Sequence, residues 1–280
     1  MTQDLLDELF QYELSLGRDR YRRDPDAAPD AEELLDVVRH GELFRALLAG
    51  PLDRREIEER LDVSRATSHR FVRWLEEHGY GERVDNRYQL TGFGATIAYG
   101  VCKFETYLGT ARRLEPLFEY ICEDHEEFVV EPFVDATVTI ATPADPYAPI
   151  ERFLSLLRES ETFRGFNTTH MIPPGADAAD DPLFTGRTVE LVYVPDTVET
   201  LRNDSDAALE AAIDEGTVTI RARDALPYGL ALFDDRVGIG GYDEETGAMC
   251  VFVDADAAIA REWATRVFDS IRADSRPVSA

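Results

Sequence analysis

Lysine is nearly absent from this sequence. Lys103 is the single lysine among 29 basic residues, which face 56 acids for a formal charge of −27 over 280 residues. So anionic a body cannot bind a polyanion over its whole surface; contact with nucleic acid would have to come from a locally basic patch. Long apolar runs are missing, so no bilayer-spanning helix is expected. The first residues lack the basic start and apolar stretch of a signal peptide, which makes a cytoplasmic protein the expectation. Cysteine is scarce. Cys102, Cys122 and Cys250 form no CxxC pair, which excludes a disulfide framework and a cysteine zinc site. Cys102 and Cys122 fall on one predicted helix, about 30 Å apart, and read as small hydrophobes. His40 and His78 have no second ligand at a metal spacing, so neither a metal nor a cofactor is expected.

What is present starts with the acid itself. It runs along most of the chain rather than forming a tail, the bias of proteomes adapted to high internal salt. It favours solubility and does not point to an acidic activity. High salt also weakens phosphate contacts, so a DNA-reading surface in such a chain must be locally neutral or basic.

One stretch meets that condition. Val63–Leu75, with Arg65, Arg70 and Arg73, contains no acid. Ser64 is a good N-cap, and Ser68, Val72 and Leu75 at i, i+4, i+7 would face inward. Arg65, His69 and Arg73 at i, i+4, i+8 lie on another face, with Ala66 and Arg70 beside them; such groups contact phosphates and base edges. Before it, Arg54–Leu61 reads as a short helix with Ile57 and Leu61 buried, and Asp62-Val63 as a turn. After it, Gly79 ends the helix. Gly81–Val84, the turn Asp85-Asn86 and Arg87–Leu90 read as a hairpin, with Arg83 and Arg87 flanking its tip. This order predicts a winged helix-turn-helix whose DNA-binding residues are Ser64, Arg65, Thr67, His69, Arg70, Arg73, Arg83 and Arg87. The bland alternative is a small helical domain with a solvated arginine face.

The rest of the chain falls around this unit. Residues 1–28 read as an accessory amphipathic helix (4–21) and a Pro/Asp linker; whether the helix packs on the winged unit or across a dimer is open. Residues 29–91 form the DNA-binding domain, opening with a helix from Ala31 to Ala49 that Gly41 bends or breaks. Residues 92–124 form a long linker helix capped by Thr91 and interrupted by Pro116. Its many apolar residues suit a homodimer interface or packing against the second domain. Residues 125–276 alternate short β-rich and helical runs, giving a mixed α/β domain and an α+β protein overall. Strands are predicted at Ala136–Ala141, Thr162–Phe166, Thr188–Val194, Thr217–Arg221, Tyr228–Phe233, Arg236–Gly241 and Ala248–Val253. Helices are predicted at Pro149–Arg158, Thr197–Asp214 and from an Asp254 N-cap to about Ala273. Residues 173–187 read as a loop.

Two runs carry a resemblance: Asp135-Ala-Thr-Val-Thr-Ile-Ala-Thr-Pro-Ala-Asp-Pro-Tyr-Ala-Pro149, and Leu226-Pro-Tyr-Gly-Leu-Ala-Leu-Phe-Asp-Asp-Arg236 with Val237-Gly-Ile-Gly-Gly-Tyr242 after it. Over about residues 31–276 the chain resembles archaeal two-domain winged-helix regulators. Their sensor domain is named after a methanogenesis regulator of filamentous methanogens. The resemblance implies a transcription regulator that binds double-stranded DNA, with a C-terminal sensor domain like a fragment of the phospholipase-D fold. It supplies no effector.

Enzymatic chemistry is not expected. A phospholipase-D-type site needs a His with a Lys two residues on, whereas His170 is followed by Met171-Ile172-Pro173. There is no GxSxG, no HExxH and no phosphate-cradling loop with a Lys. Gly238-Ile-Gly-Gly241 reads as a tight or bulged strand. An effector pocket is the remaining expectation, with Asn167, Thr168, His170, Arg187, Arg221 and Tyr228 as candidates; for each, a solvated or salt-bridged side chain is the competing reading. A small-molecule or phosphoester enzyme with a winged-helix appendage, and a winged-helix protein-interaction module, stand as alternatives to the regulator.

Overall fold

A computed structural model describes residues 29–121, 128–169, 187–204, 207–243 and 245–278. The expected helix at 4–21, Cys122, His170 and nearly all of the 173–187 loop lie outside the described residues. The chain divides into two compact units, Met1–Leu108 and Gly109–Ala280.

In the first unit the expected opening helix is two: α1 (Ala31–Arg39) and α2 (Gly41–Leu48), broken at His40. Next come α3 (Arg54–Arg60), α4 (Arg65–Glu77), the hairpin β1 (Gly81–Val84) and β2 (Arg87–Leu90), and α5, which starts at Gly92. Asp62, at φ 50°, makes the turn between α3 and α4. Asp53 and Glu56 form a reciprocal capping box on α3. The α4 stop is a Schellman motif: Gly79 is left-handed at φ 69°, Tyr80 N donates to Leu75 O, and Gly79 N donates to Glu76 O. Phe44, Ile57, Val72, Leu75 and Tyr80 are the centre of the core, while Leu61, expected inside, is only half-buried. Leu52 pairs with Tyr88 as a third, one-residue strand on the hairpin.

The helix α5 ends at Phe118, short of the expected Cys122, with Pro116 in its last turn. Thr91 caps it, accepting from Gly94 N at 3.0 Å and donating to Gly79 O at 2.7 Å.

Among the described residues, the second unit is built on one mixed sheet of eight strands: β3 (Thr137–Ile140), β4 (Thr162–Asn167), β5 (Thr188–Tyr193), β6 (Val218–Ala222), β7 (Gly229–Leu232), β8 (Val237–Tyr242), β9 (Met249–Ala255) and β10 (Arg276–Pro277), in the order β10-β6-β5-β4-β7-β8-β9-β3. β4, β5 and β6 run parallel to one another, while the other pairings are antiparallel. The helical connection from β5 to β6, then the tight meander from β7 to β9, follow the alternation the sequence shows. Period-two alternation then sorts the side chains. Phe163, Val189, Leu191, Val218, Ile220 and Phe233 pack with α6 (Ala148–Arg158), α7 (Pro195–Asp204) and α8 (Ala207–Asp214). On the other face Arg164 lies over the Phe268 ring, and Tyr228 stacks on Trp263 of α9 (Ala258–Ala273).

The helix expected at 197–214 is described as α7 and α8, on either side of residues 205 and 206, which lie outside the described residues. Two expectations do not hold in this unit. Strand β10, which extends the sheet beyond β6, is not predicted by its sequence. Asp254 does not cap a helix. It lies in β9, fully buried, and α9 begins after Ala257 with no side-chain cap. Arg152 binds both Asp254 oxygens, at 2.8 and 2.9 Å, and Arg236 bonds Oδ2. A carboxylate so held is a buried ionic tie between α6, β9 and the start of β8, and its partners are too far away in sequence to be read locally.

Candidate nucleic-acid interface

Of the residues expected to meet DNA, Ser64, Arg65, Thr67, His69, Arg70 and Arg73 belong to α4 or its cap, while Arg83 and Arg87 lie on the hairpin. Ser64 caps the helix, accepting from Thr67 N at 3.2 Å. That bond serves one of the free N–H groups of the first turn and fixes where the helix begins. Ser68, Val72 and Leu75 are buried, which locks the rotation of α4 about its axis. Ser68 also bonds to the Arg54 carbonyl and to Glu58, tying α4 to α3. With the axis so fixed, Arg65, His69, Arg70 and Arg73 are exposed together and Thr67 is half-buried.

The cationic side chains of the helix and the hairpin are not equally available. Among the described residues Arg65 and His69 have no bonded partner. Arg70 makes only a long contact to Thr67 Oγ1, 3.4 Å. Arg73 is held by Glu77 at 2.7 Å, an i, i+4 pair that raises the guanidinium pKa by hydrogen bonding. Arg87 is turned back: it donates to the Pro51 carbonyl at 2.8 Å and to Glu56 at 2.6 Å. Glu56 is the acid of the α3 capping box, so Arg87 fastens the hairpin to α3 rather than projecting from its tip. Arg83 bonds Asn86 and lies over the Tyr88 ring, 5.9 Å from its centre. Asp85 and Asn86, at φ 47° and 67°, form the two-residue turn that matches strand twist.

His40 supports this unit from behind. Its ring stacks on Trp74 at 3.7 Å and its Nδ1 bonds the Asp36 carbonyl at 2.7 Å. Burial there lowers its pKa below the usual imidazole value.

Of the expected effector residues that are described, Asn167 and Thr168 adjoin one another, while Arg187, Arg221 and Tyr228 lie apart from them. Arg187 donates to the Leu157 and Ser160 carbonyls, and Arg221 binds Ser275 through its hydroxyl and carbonyl. Both are structural ties at the ends of strands. Tyr228 is buried among Phe166, Phe128 and Trp263 on the α9 face. Asn167 instead lines a cavity on the α6 face, where its Nδ2 donates to the Tyr242 hydroxyl at 2.8 Å. Thr168 is exposed next to it, its N–H held by Asn167 Oδ1. Tyr242 is the residue that reasoning from sequence misses. The signal available for it is the pair Gly229 and Gly240, whose missing side chains leave room for its ring.

Two family models match the chain, one over each part of this geometry. Residues 28–113 match the model described as the HVO_A0261 N-terminal domain, and residues 146–274 match that of the middle domain of the methanogenesis regulatory protein FilR1. The C-terminal part of the chain is thus similar to a domain of a methanogenesis regulatory protein, and the N-terminal part to the HVO_A0261 N-terminal domain. No curated protein matches it. Among solved structures, TrmBL2, an archaeal chromatin protein, is 13% identical, with 89% of this chain and 100% of that chain covered and a TM-score of 0.40. NucT from Helicobacter pylori is 12% identical, covering 51% and 99% at a TM-score of 0.39. Nuc from Salmonella typhimurium, a phospholipase D family member, is 14% identical, covering 52% and 100% at 0.38. These likenesses are too slight to transfer a site. Among the described residues no helix is long and apolar enough to cross a membrane, and no group of three or more His, Cys, Asp or Glu is placed to hold a metal ion.

Proposed function

We propose that the protein is a sequence-specific transcription regulator that lays α4 in the major groove of double-stranded DNA. The observation carrying this reading is the capped, rotationally fixed α4 with Arg65, His69 and Arg70 exposed on a body of net charge −27. Arg65 and His69 stand one helical turn apart, with Arg70 beside them. Arginine so placed pairs with guanine edges or phosphates. Because Arg87 is already bound within the protein, it positions the hairpin, and Arg83 is the better candidate for a phosphate.

The functional unit is proposed to be a homodimer. Phe93, Tyr99, Phe104 and Tyr107 of α5 are exposed at 57%, 67%, 53% and 44%, more apolar surface than a helix in water ordinarily shows. Pairing α5 with its symmetry mate would cover such residues and set two α4 helices about one DNA turn apart. A signal bound by the FilR1-type domain would then act by changing that spacing. The test is a gel-shift titration with DNA upstream of the protein's own gene and with a scrambled duplex. The wild type should prefer its own DNA, and Arg65→Ala and Arg70→Ala should each weaken that complex. Equal binding of both duplexes by all three proteins would remove the assignment.

A further inference from the structure

The cavity on the α6 face has the chemistry of a ligand site. It measures about 50 Å³ and lies between α6 and the sheet, with Phe153 and Leu157 on one side and Phe163 and Phe252 on the other. Among the described residues, no charged side chain lines it. Its polar end is built around the Asn167–Tyr242 pair. Asn167 Oδ1 accepts from Thr168 N at 2.8 Å, and its Nδ2 donates to the Tyr242 hydroxyl at 2.8 Å, so the pair is held in a fixed direction. Among the described residues, the Tyr242 proton and the second Asn167 N–H have no acceptor. Both are donors offered to whatever enters. Burial raises the Tyr242 pKa, which keeps the phenol protonated and able to donate.

Two glycines make the arrangement possible. Gly229 and Gly240 face each other across β7 and β8. A Cβ on either would come within 2.7 and 2.8 Å of the Tyr242 ring, respectively. The ring is therefore laid flat over a floor that has no side chains, and its hydroxyl is brought to Asn167. A bulge between Gly241 and Tyr242 sets the register that turns it there.

We infer that this cavity is the effector site of the FilR1-type domain, and that it takes a small neutral molecule with an apolar body and one carbonyl or hydroxyl oxygen. The inference rests on the reading of this domain as effector-responsive. The oxygen would accept from Tyr242 and Asn167. A charged ligand is disfavoured, because it would lose its water shell and meet no counter-charge among the described residues. The cavity's volume of about 50 Å³ is space open to a water-sized sphere; such a sphere needs roughly 10–15 Å³, so the cavity admits about four of them or one compact molecule.

Methyl-resolved NMR of the full chain tests this with two probes of similar size, 2-butanone and propionate. The expected result is a saturable shift of the Ile150, Leu154 and Leu157 methyls with 2-butanone and none with propionate. Tyr242→Phe, which keeps the ring, should weaken 2-butanone binding up to about tenfold, the range of one hydrogen bond. Equal shifts with both probes, or none with either, would overturn the assignment, as would unchanged binding in the Tyr242→Phe protein. Should that variant misfold, the two-probe comparison on the wild type still decides. The readout involves no DNA, so a protein that fails to bind DNA would sink the regulator reading while leaving this result to stand or fall alone.

Discussion

Replacing Asp254 by alanine should destabilise the second unit by about 3 kcal/mol. The carboxylate is fully buried and accepts from Arg152 at 2.8 and 2.9 Å and from Arg236. Its removal leaves two guanidinium groups without it. Stranding a buried charge costs about 3–5 kcal/mol. Two features put this case at the low end. The arginine side chains are 32% and 26% exposed, so water can return to them, and Arg236 retains Asp256 at 2.9 Å. In a domain of this size each kcal/mol shifts Tm by about 2–4 °C, so the loss should appear as a fall of roughly 6–12 °C. Urea denaturation followed by near-ultraviolet circular dichroism, alongside a thermal melt, measures both. A control carrying Asp254→Leu with Arg152→Met and Arg236→Met should recover most of the loss, because no charge is left unpaired. A loss under about 1 kcal/mol for Asp254→Ala, or a control as unstable as the single variant, would refute the assignment of a buried ionic tie.

Two further predictions concern charge. The stack of His40 on Trp74 lowers the imidazole pKa by burial, so the fold favours the neutral ring. As pH falls below the ordinary histidine value of about 6.5, the unfolded chain takes up a proton that the folded chain resists, and stability is lost until the folded pKa is passed. The stability gap between wild type and His40→Phe, measured by urea denaturation at pH 7.5 and 5.5, should therefore shrink or reverse at pH 5.5; a constant gap would contradict it. The second follows from the net charge of −27. Raising potassium chloride should raise the Tm by screening self-repulsion while weakening DNA binding, two opposite trends in one protein. A Tm that falls with salt would contradict the first of them.

The features legible in the sequence are those set by neighbours in the chain. The Ser64 cap, the inward row Ser68, Val72 and Leu75, the Gly79 stop and the Asp85-Asn86 turn are each decided within a few residues, and all are present in the structure. Several strands of the second unit, such as β3, β5 and β9, are likewise marked by β-branched runs between turn residues. Where the structure departs from the sequence expectation, the departures share one cause. Asp254 resembles a helix cap locally, but Arg152 and Arg236 claim it inside the sheet. Arg87 looks like a free wing-tip cation until Pro51 and Glu56 fold against it. Arg187 and Arg221 look like anion ligands, yet carbonyl groups and Ser275 hold them. An arginine in a chain so rich in acids and carbonyl partners is settled by tertiary contacts, which spacing does not reveal. Tyr242 escapes notice for the same reason, since its partner Asn167 lies across the sheet.

The central claim is that the arginine face of α4 lies against duplex DNA. Fluorescence anisotropy of a labelled duplex, titrated with protein over a series of salt concentrations, tests it most directly. For the double variant Arg65→Ala/Arg70→Ala, the slope of log affinity against log salt should become shallower by up to about 1.8 per protomer, at about 0.9 for each phosphate that is no longer neutralised. Arg87→Ala, whose side chain is already bound to Pro51 and Glu56, should leave the slope near the wild-type value. Identical slopes for wild type and the double variant would contradict the claim.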